Sequence, residues 1–161
     1  MRQYIGTKII QAEPAHRFSD GTKTMIVETD RDITSEEGAF IKRAETCELG
    51  YRVRYPDGYE SWSPKDVFEA AYRPTDSMNF GLAIEAAKMG KKIQRAGWNG
   101  KGQYVELAAR ISYVNAESSV INAEHAAIGN HALAFVGNSG VQLGWLASQA
   151  DMLADDWRIV E

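Results

Sequence analysis

Pro74 constrains this chain more than any other residue. It stops a helical pattern, and Asp76, Ser77 and Asn79 follow as turn and cap residues before a new apolar periodicity begins. The 161 residues suffice for one good core or two small ones. The seam at Arg73–Ser77 selects two, residues 1–76 and 77–161.

In the first piece, Tyr4 to Ala12 is strand-like. Gly50 to Trp62 alternates Tyr51, Val53 and Tyr55 against Arg52 and Arg54, and the Pro56-Asp57-Gly58 turn folds it into a hairpin. Ser63, Pro64 and Asp66 form a start signal for a helix over Pro64 to Tyr72, with Val67, Phe68, Ala71 and Tyr72 as its apolar face. Thr29 to Lys42 is polar and acidic, a loop or a short surface helix.

In the second piece, Asn79 caps a helix Phe80 to Met89 that Gly90 stops. Strands are expected at Lys92–Arg95, Gln103–Ala108, Leu133–Val136, Val141–Trp145 and Trp157–Val160. Asn138-Ser139-Gly140 makes a hairpin turn, and Ser148 to Asp151 starts a short helix to about Ala154. The fold class is α+β: small antiparallel sheets with short helices packed at the edges, in two modules.

Composition narrows function. With 44% hydrophobic and 25% charged residues the chain is an ordinary globular one. The net charge of −4 argues against a polymeric nucleic acid partner, whose affinity depends on many Lys and Arg contacts to phosphate. Cys47 is the lone cysteine, and no Cys/His cluster has zinc spacing, so no metal is expected and the compartment reads as reducing. No secretory leader or membrane span is expected. The charge-free stretch His125 to Ala150 is interrupted by Gly129, Asn130, Gly137, Asn138, Gly140 and Gly144, and reads as buried strands and turns.

The sharpest local feature is Lys88 to Gly102. Lys88, Lys91, Lys92, Arg95 and Lys101 lie between Glu85 and Glu106 with no acid among them, a local positive field suited to an anion. Gly97-Trp98-Asn99-Gly100-Lys101-Gly102 adds a flat aromatic and glycines whose backbone N–H groups can face outward, the ingredients for stacking a base and holding a phosphate. The same residues also suit a hairpin turn at Asn99-Gly100 with Trp98 plugging a core. It is neither a P-loop nor a dinucleotide fingerprint. A second cluster, Trp145 with Ser148, Gln149 and Asp151, could set an aromatic face beside helix N–H donors; Trp157 reads as core. Catalytic groupings are poor. His16, His125 and His131 are scattered, and the adjacent acids Asp155-Asp156 and Glu36-Glu37 suit solvent.

Three segments carry a resemblance: Met78-Asn79-Phe80-Gly81 with Ala83; Gly90-Lys91-Lys92 with Arg95 and Gly97 to Gly102; and Trp145, Ser148, Gln149, Asp151, Leu153, Ala154, Asp156 and Trp157. On these, residues 78–161 resemble the phage anti-Thoeris signal-sponge family, the second anti-Thoeris family. The resemblance implies a homotetramer without enzymatic activity or cofactor. In the cytoplasm of the infected bacterial host it would bind glycocyclic ADP-ribose, and in some relatives cyclic dinucleotides, and keep the signal from its effector. Tyr4 to Lys8 and Ser61 to Phe68 resemble a small recurrent phage domain.

The expected ligand-binding residues are Trp98 on a base, Arg95 and Lys101 on phosphate, and Asn99 and Gly100 as hydrogen-bond donors. Asn79, Trp145, Ser148 and Gln149 join them if a tetramer interface brings both motif clusters together. The competing expectations are a protein-binding inhibitor of a host defence protein and a cyclic-nucleotide hydrolase.

Overall fold

The computed structural model describes Gln3 and residues 7–110, 112–122 and 131–161. The chain divides into two compact units, Met1–Tyr72 and Arg73–Glu161. Both combine antiparallel sheets with short helices, the expected α+β class.

The first unit is a four-stranded sheet in the order β2-β1-β3-β4, built from β1 (Gln11–Ser19), β2 (Thr24–Glu28), β3 (Thr46–Arg54) and β4 (Glu60–Pro64). The β3–β4 hairpin turns where expected, with Gly58 at φ +84°. The strand expected at Tyr4 to Ala12 begins only at Gln11. The reason is its partner: Gln11 pairs with Arg54, the last residue of β3, and the next backbone N–H, that of Tyr55, turns to the Tyr59 carbonyl at 2.9 Å, so the ladder ends there. Tyr4–Gly6 lie outside the described residues.

The acidic stretch contains helix α1 (Ser35–Arg43), started by a capping box between Thr34 and Glu37 and anchored by buried Phe40. Helix α2 (Lys65–Ala71) starts one residue later than expected, with Pro64 as its cap and no side-chain cap bond from Ser63. Its expected apolar face is narrower too. Val67 is exposed, and Phe68 instead stacks between Tyr51 and Tyr72.

The second unit is a five-stranded sheet in the order β10-β9-β6-β5-β11, with a separate β7–β8 hairpin. Its strands are β5 (Lys92–Arg95), β6 (Tyr104–Ala108), β9 (Ala132–Gly137), β10 (Gly140–Leu143) and β11 (Trp157–Val160). The hairpin strands β7 (Ser112–Val114) and β8 (Val120–Asn122) were not anticipated. Each contributes only two apolar residues, Tyr113-Val114 and Val120-Ile121, too short a run to signal a strand among polar flanks. Part of the expected His125–Ala150 region lies outside the described residues. The remainder is not uniformly buried: in β9 only Ala134 is fully buried, and β10 is exposed throughout.

Helix α3 (Phe80–Lys88) is the core-maker. Asn79 Oδ1 accepts from Leu82 N at 2.9 Å to cap it, and Gly90 at φ +82° releases the chain after it. Its small face, Ala83, Ala86 and Ala87, lets the helix lie close on Ile93, Val105 and Trp157, all fully buried. A short helix α4 (Gln149–Met152) ends before the expected Ala154. No described helix is long and apolar enough to cross a membrane.

Candidate functional site

The two motif clusters meet inside one copy of the chain. β11 lies antiparallel to β5, with Trp157 opposite Arg95, and this register brings the C-terminal motif against the start of the glycine loop. Arg95 Nε donates to Asp156 Oδ1 at 2.8 Å, and Nη1 donates to Asp151 Oδ1 at 3.2 Å and to the Ala150 carbonyl at 3.1 Å. Asp156 also accepts from Gly97 N at 3.0 Å, which pins the loop where it leaves β5.

Asp151 is the other anchor. Its side chain accepts from Ser148 N at 3.0 Å while its N–H donates to Ser148 Oγ at 3.2 Å, the capping box of α4, and it also accepts from Ser148 Oγ at 2.7 Å and Trp98 Nε1 at 3.4 Å. Its backbone carbonyl takes Trp157 Nε1 at 2.9 Å. The three indoles of Trp98, Trp145 and Trp157 meet edge to face at 5.5–6.3 Å between centroids, with Phe135 against Trp98 at 5.5 Å.

Electrostatics follow the geometry. Arg95 holds Asp156 below the usual carboxylate range, with the Gly97 N–H helping against the opposing effect of burial. Burial pushes Asp151 up, yet the bonds from Ser148, Arg95 and Trp98 outweigh it and leave that carboxylate lowered. Arg95 is raised in turn, chiefly by Asp156.

The expected site residues therefore fall into two groups. Arg95, Trp98, Trp145, Asn79 and Ser148 have partners of their own within the fold: two carboxylates, the aromatic cluster, or a helix cap. Asn99, Lys101 and Gln149 are exposed, and Gly100 is half-buried under the Gln103 side chain, whose amide fills the space a Cβ would take. The five cations do not converge. Lys88 pairs with Glu85 at 2.6 Å, Arg95 is inside the hub, Lys92 lies over the Tyr104 ring, and Lys91 and Lys101 are exposed.

Sequence reading missed Asp156, which it assigned to solvent, and Gln103. The signal for Asp156 was its place one residue before Trp157 on β11, beside a strand carrying Arg95. Among the described residues no group of three His, Cys, Asp or Glu could hold a metal; His125 lies outside them.

Residues 78–160 match the family described as the Thoeris anti-defense 2-like domain. The chain belongs to that family. Thoeris anti-defense 2 of Bacillus phage SP01 is 33% identical over 88 residues, which cover 52% of this chain and 94% of that protein. The matched span is the second unit without its first five residues and its last, so the Arg95–Asp151–Asp156 hub and the three tryptophans all lie within the family domain.

Proposed function

We propose that this chain is a phage anti-defence protein that binds a cyclic nucleotide immune signal, glycocyclic ADP-ribose or a cyclic dinucleotide, and withholds it from its effector without cleaving it. Membership in the Thoeris anti-defense 2-like family carries this reading. A sponge works by affinity and copy number, so it needs an enclosing, preorganised surface rather than a tuned acid, base or nucleophile. The hub suits that task, because it holds a glycine loop rigid while leaving Asn99 and Lys101 exposed to a ligand.

In this reading Lys101 meets phosphate, Asn99 and the backbone at Gly100 donate hydrogen bonds, and Gln149 adds a contact from the start of α4. Trp98, with Trp145 beside it, walls the base pocket; Arg95, Ser148 and Asn79 hold these groups in place. The protein assembles as a homotetramer in the cytoplasm of the infected host. Exposed apolar side chains at Val141, Leu143, Leu146 and Leu153 support assembly. Residues 1–76 form a separate phage-associated domain ahead of the sponge domain at 77–161.

The test incubates purified protein with glycocyclic ADP-ribose and with cyclic dinucleotides, followed by ultrafiltration, heat release and chromatography. Ligand depleted from the filtrate and recovered intact supports a sponge. Altered ligand would make the chain a hydrolase, and ligand left free would refute sequestration and direct attention to protein partners.

A further inference from the structure

The four-stranded sheet of the first unit carries its ionic side chains on one face. Tyr51 packs on Phe68 of α2, and side chains alternate along a strand, so Arg52 and Arg54 belong to the opposite face. Strand pairing sets Gln11, Arg54 and Glu60 in one row of that face, and Glu13 and Arg52 in the next. Between the rows lies an open hollow of about 100 Å³, lined by Gln11, Ala12, Glu13, Arg52, Arg54 and Glu60. Pockets for drug-sized ligands run to about 300–1,000 Å³, so this one suits side-chain head groups and a short stretch of backbone.

The ion pairs around the hollow leave bonding capacity unused at its rim. Opposite charges facing each other across two strands normally pair, and Glu13 faces Arg52. Arg52 is committed elsewhere: Nε and Nη2 donate to Glu60 Oε2 at 3.1 and 2.7 Å, and Nη1 donates to Glu28. The exposed Glu13 carboxylate is left with no hydrogen bond or ion pair among the described residues. Arg54 turns Nε and Nη2 to Glu60 Oε1, both at 2.7 Å, so its Nη1 is free to donate, on a side chain 56% exposed. Gln11, beside Arg54 and two positions from Glu13, is exposed with its amide free.

We propose that this hollow is a docking site for an extended peptide segment of a partner protein that carries a basic and an acidic side chain two positions apart. The basic side chain meets Glu13, and the acidic one meets Arg54 Nη1. Glu13 and Arg54 are diagonal neighbours on the face, about 7–8 Å apart. Side chains two positions apart on an extended chain leave the same side about 7 Å from each other, which matches that span. The Gln11 amide holds both a donor and an acceptor, the complement of the peptide group between the two charges. A segment of one charge sign would meet a like charge at one end of the site. These residues lie outside the family match at 78–160, so the site is independent of the sponge reading.

Its test titrates the isotope-labelled full chain with a capped arginine-alanine-glutamate peptide, followed by amide NMR shifts, with a capped alanine tripeptide as the neutral control. Thermal unfolding of each variant runs in parallel. The expected result is a set of shifts at Gln11, Glu13 and Arg54 that saturates in the millimolar range and weakens as salt is added. Glu13→Gln and Arg54→Gln should each weaken binding about fivefold, the upper end for an exposed ion pair, and the neutral peptide should produce no saturating shift. Wild-type protein without saturating shifts overturns the site. So does equal binding of the neutral peptide, or affinity unchanged in both variants. Should Arg54→Gln lower the melting temperature, Glu13→Gln decides, because Glu13 bonds to nothing that the substitution could release.

Discussion

Replacing Asp151 with alanine should cost unit 2 about 3 kcal/mol. Its side chain is 14% exposed and serves two structures at once. As the reciprocal partner of Ser148 in a capping box it is worth about 1 kcal/mol. As the acceptor of a charged donor, Arg95 Nη1 at 3.2 Å, it adds about 1.5–3 kcal/mol. The bond from Trp98 Nε1, at 3.4 Å, is long and adds little. Arg95 is not orphaned by the change, because Asp156 and the Ala150 carbonyl remain, so the sum stays near the lower half of that range. For a unit of this size, that loss lowers the melting temperature by about 12–24 °C. Urea and thermal unfolding, followed by tryptophan emission, read it directly, since Trp98 and Trp157 both touch Asp151. Asp155→Ala, at the exposed neighbouring acid, is the control and should change stability by under about 0.5 kcal/mol. A loss below about 1 kcal/mol in Asp151→Ala would show that the hub does not hold the loop.

Four further outcomes are expected. Trp98→Ala should destabilise unit 2 by about 3 kcal/mol through lost aromatic packing, so its ligand retention must be measured below the lowered melting temperature. Lys101→Ala should leave the melting temperature within the error of the measurement and weaken retention of the cyclic nucleotide probes in the ultrafiltration assay. Gly50→Ala should cost about 3 kcal/mol or prevent folding of the first unit, read as soluble yield and urea midpoint, because its Cβ would fall 2.1 Å from the Ser63 carbonyl oxygen and 2.6 Å from the Trp62 ring. Because Asp151 and Asp156 are held lower in the folded chain than in the unfolded one, their contribution is complete above about pH 4–5. It begins to be lost as pH falls below the unfolded value of about 3.9 and is gone once pH has passed through the lower folded values, so urea midpoints of the second unit should be flat near neutrality and drop in acid.

Legibility in the sequence followed the range of the interactions. Elements set by local chemistry were readable: the Asn79 cap, the Gly90 stop, the Pro56–Gly58 turn and the strands Lys92–Arg95 and Trp157–Val160 all stand where the residues put them. Elements that depend on distant pairing were not. β1 starts at Gln11 because β3 ends at Arg54, and nothing near Gln11 announces that limit. The site behaved the same way. Ser148 and Asp151 were legible as a cap because they are three residues apart, whereas the salt bridge from Arg95 to Asp156 spans 61 positions and appears only once β11 lies beside β5.

The same long-range partners bear on what the motif residues do. Arg95, Trp98, Ser148, Asp151, Asp156 and Trp157 are among the residues on which the resemblance rests, and the structure gives each an internal partner. A residue already bonded to two carboxylates gains little by meeting a phosphate, since any new bond must first displace an old one of similar strength. The motif is therefore better suited to shaping and stiffening the loop than to touching a ligand. A rigid loop lowers the ordering cost of binding, and that is where a protein acting by affinity alone stands to gain most. Under the proposed function, ligand contacts fall to the exposed Asn99 and Lys101. On this argument, substitutions within the hub weaken binding in proportion to their loss of stability, whereas substitution of the exposed Lys101 weakens it beyond any loss of stability.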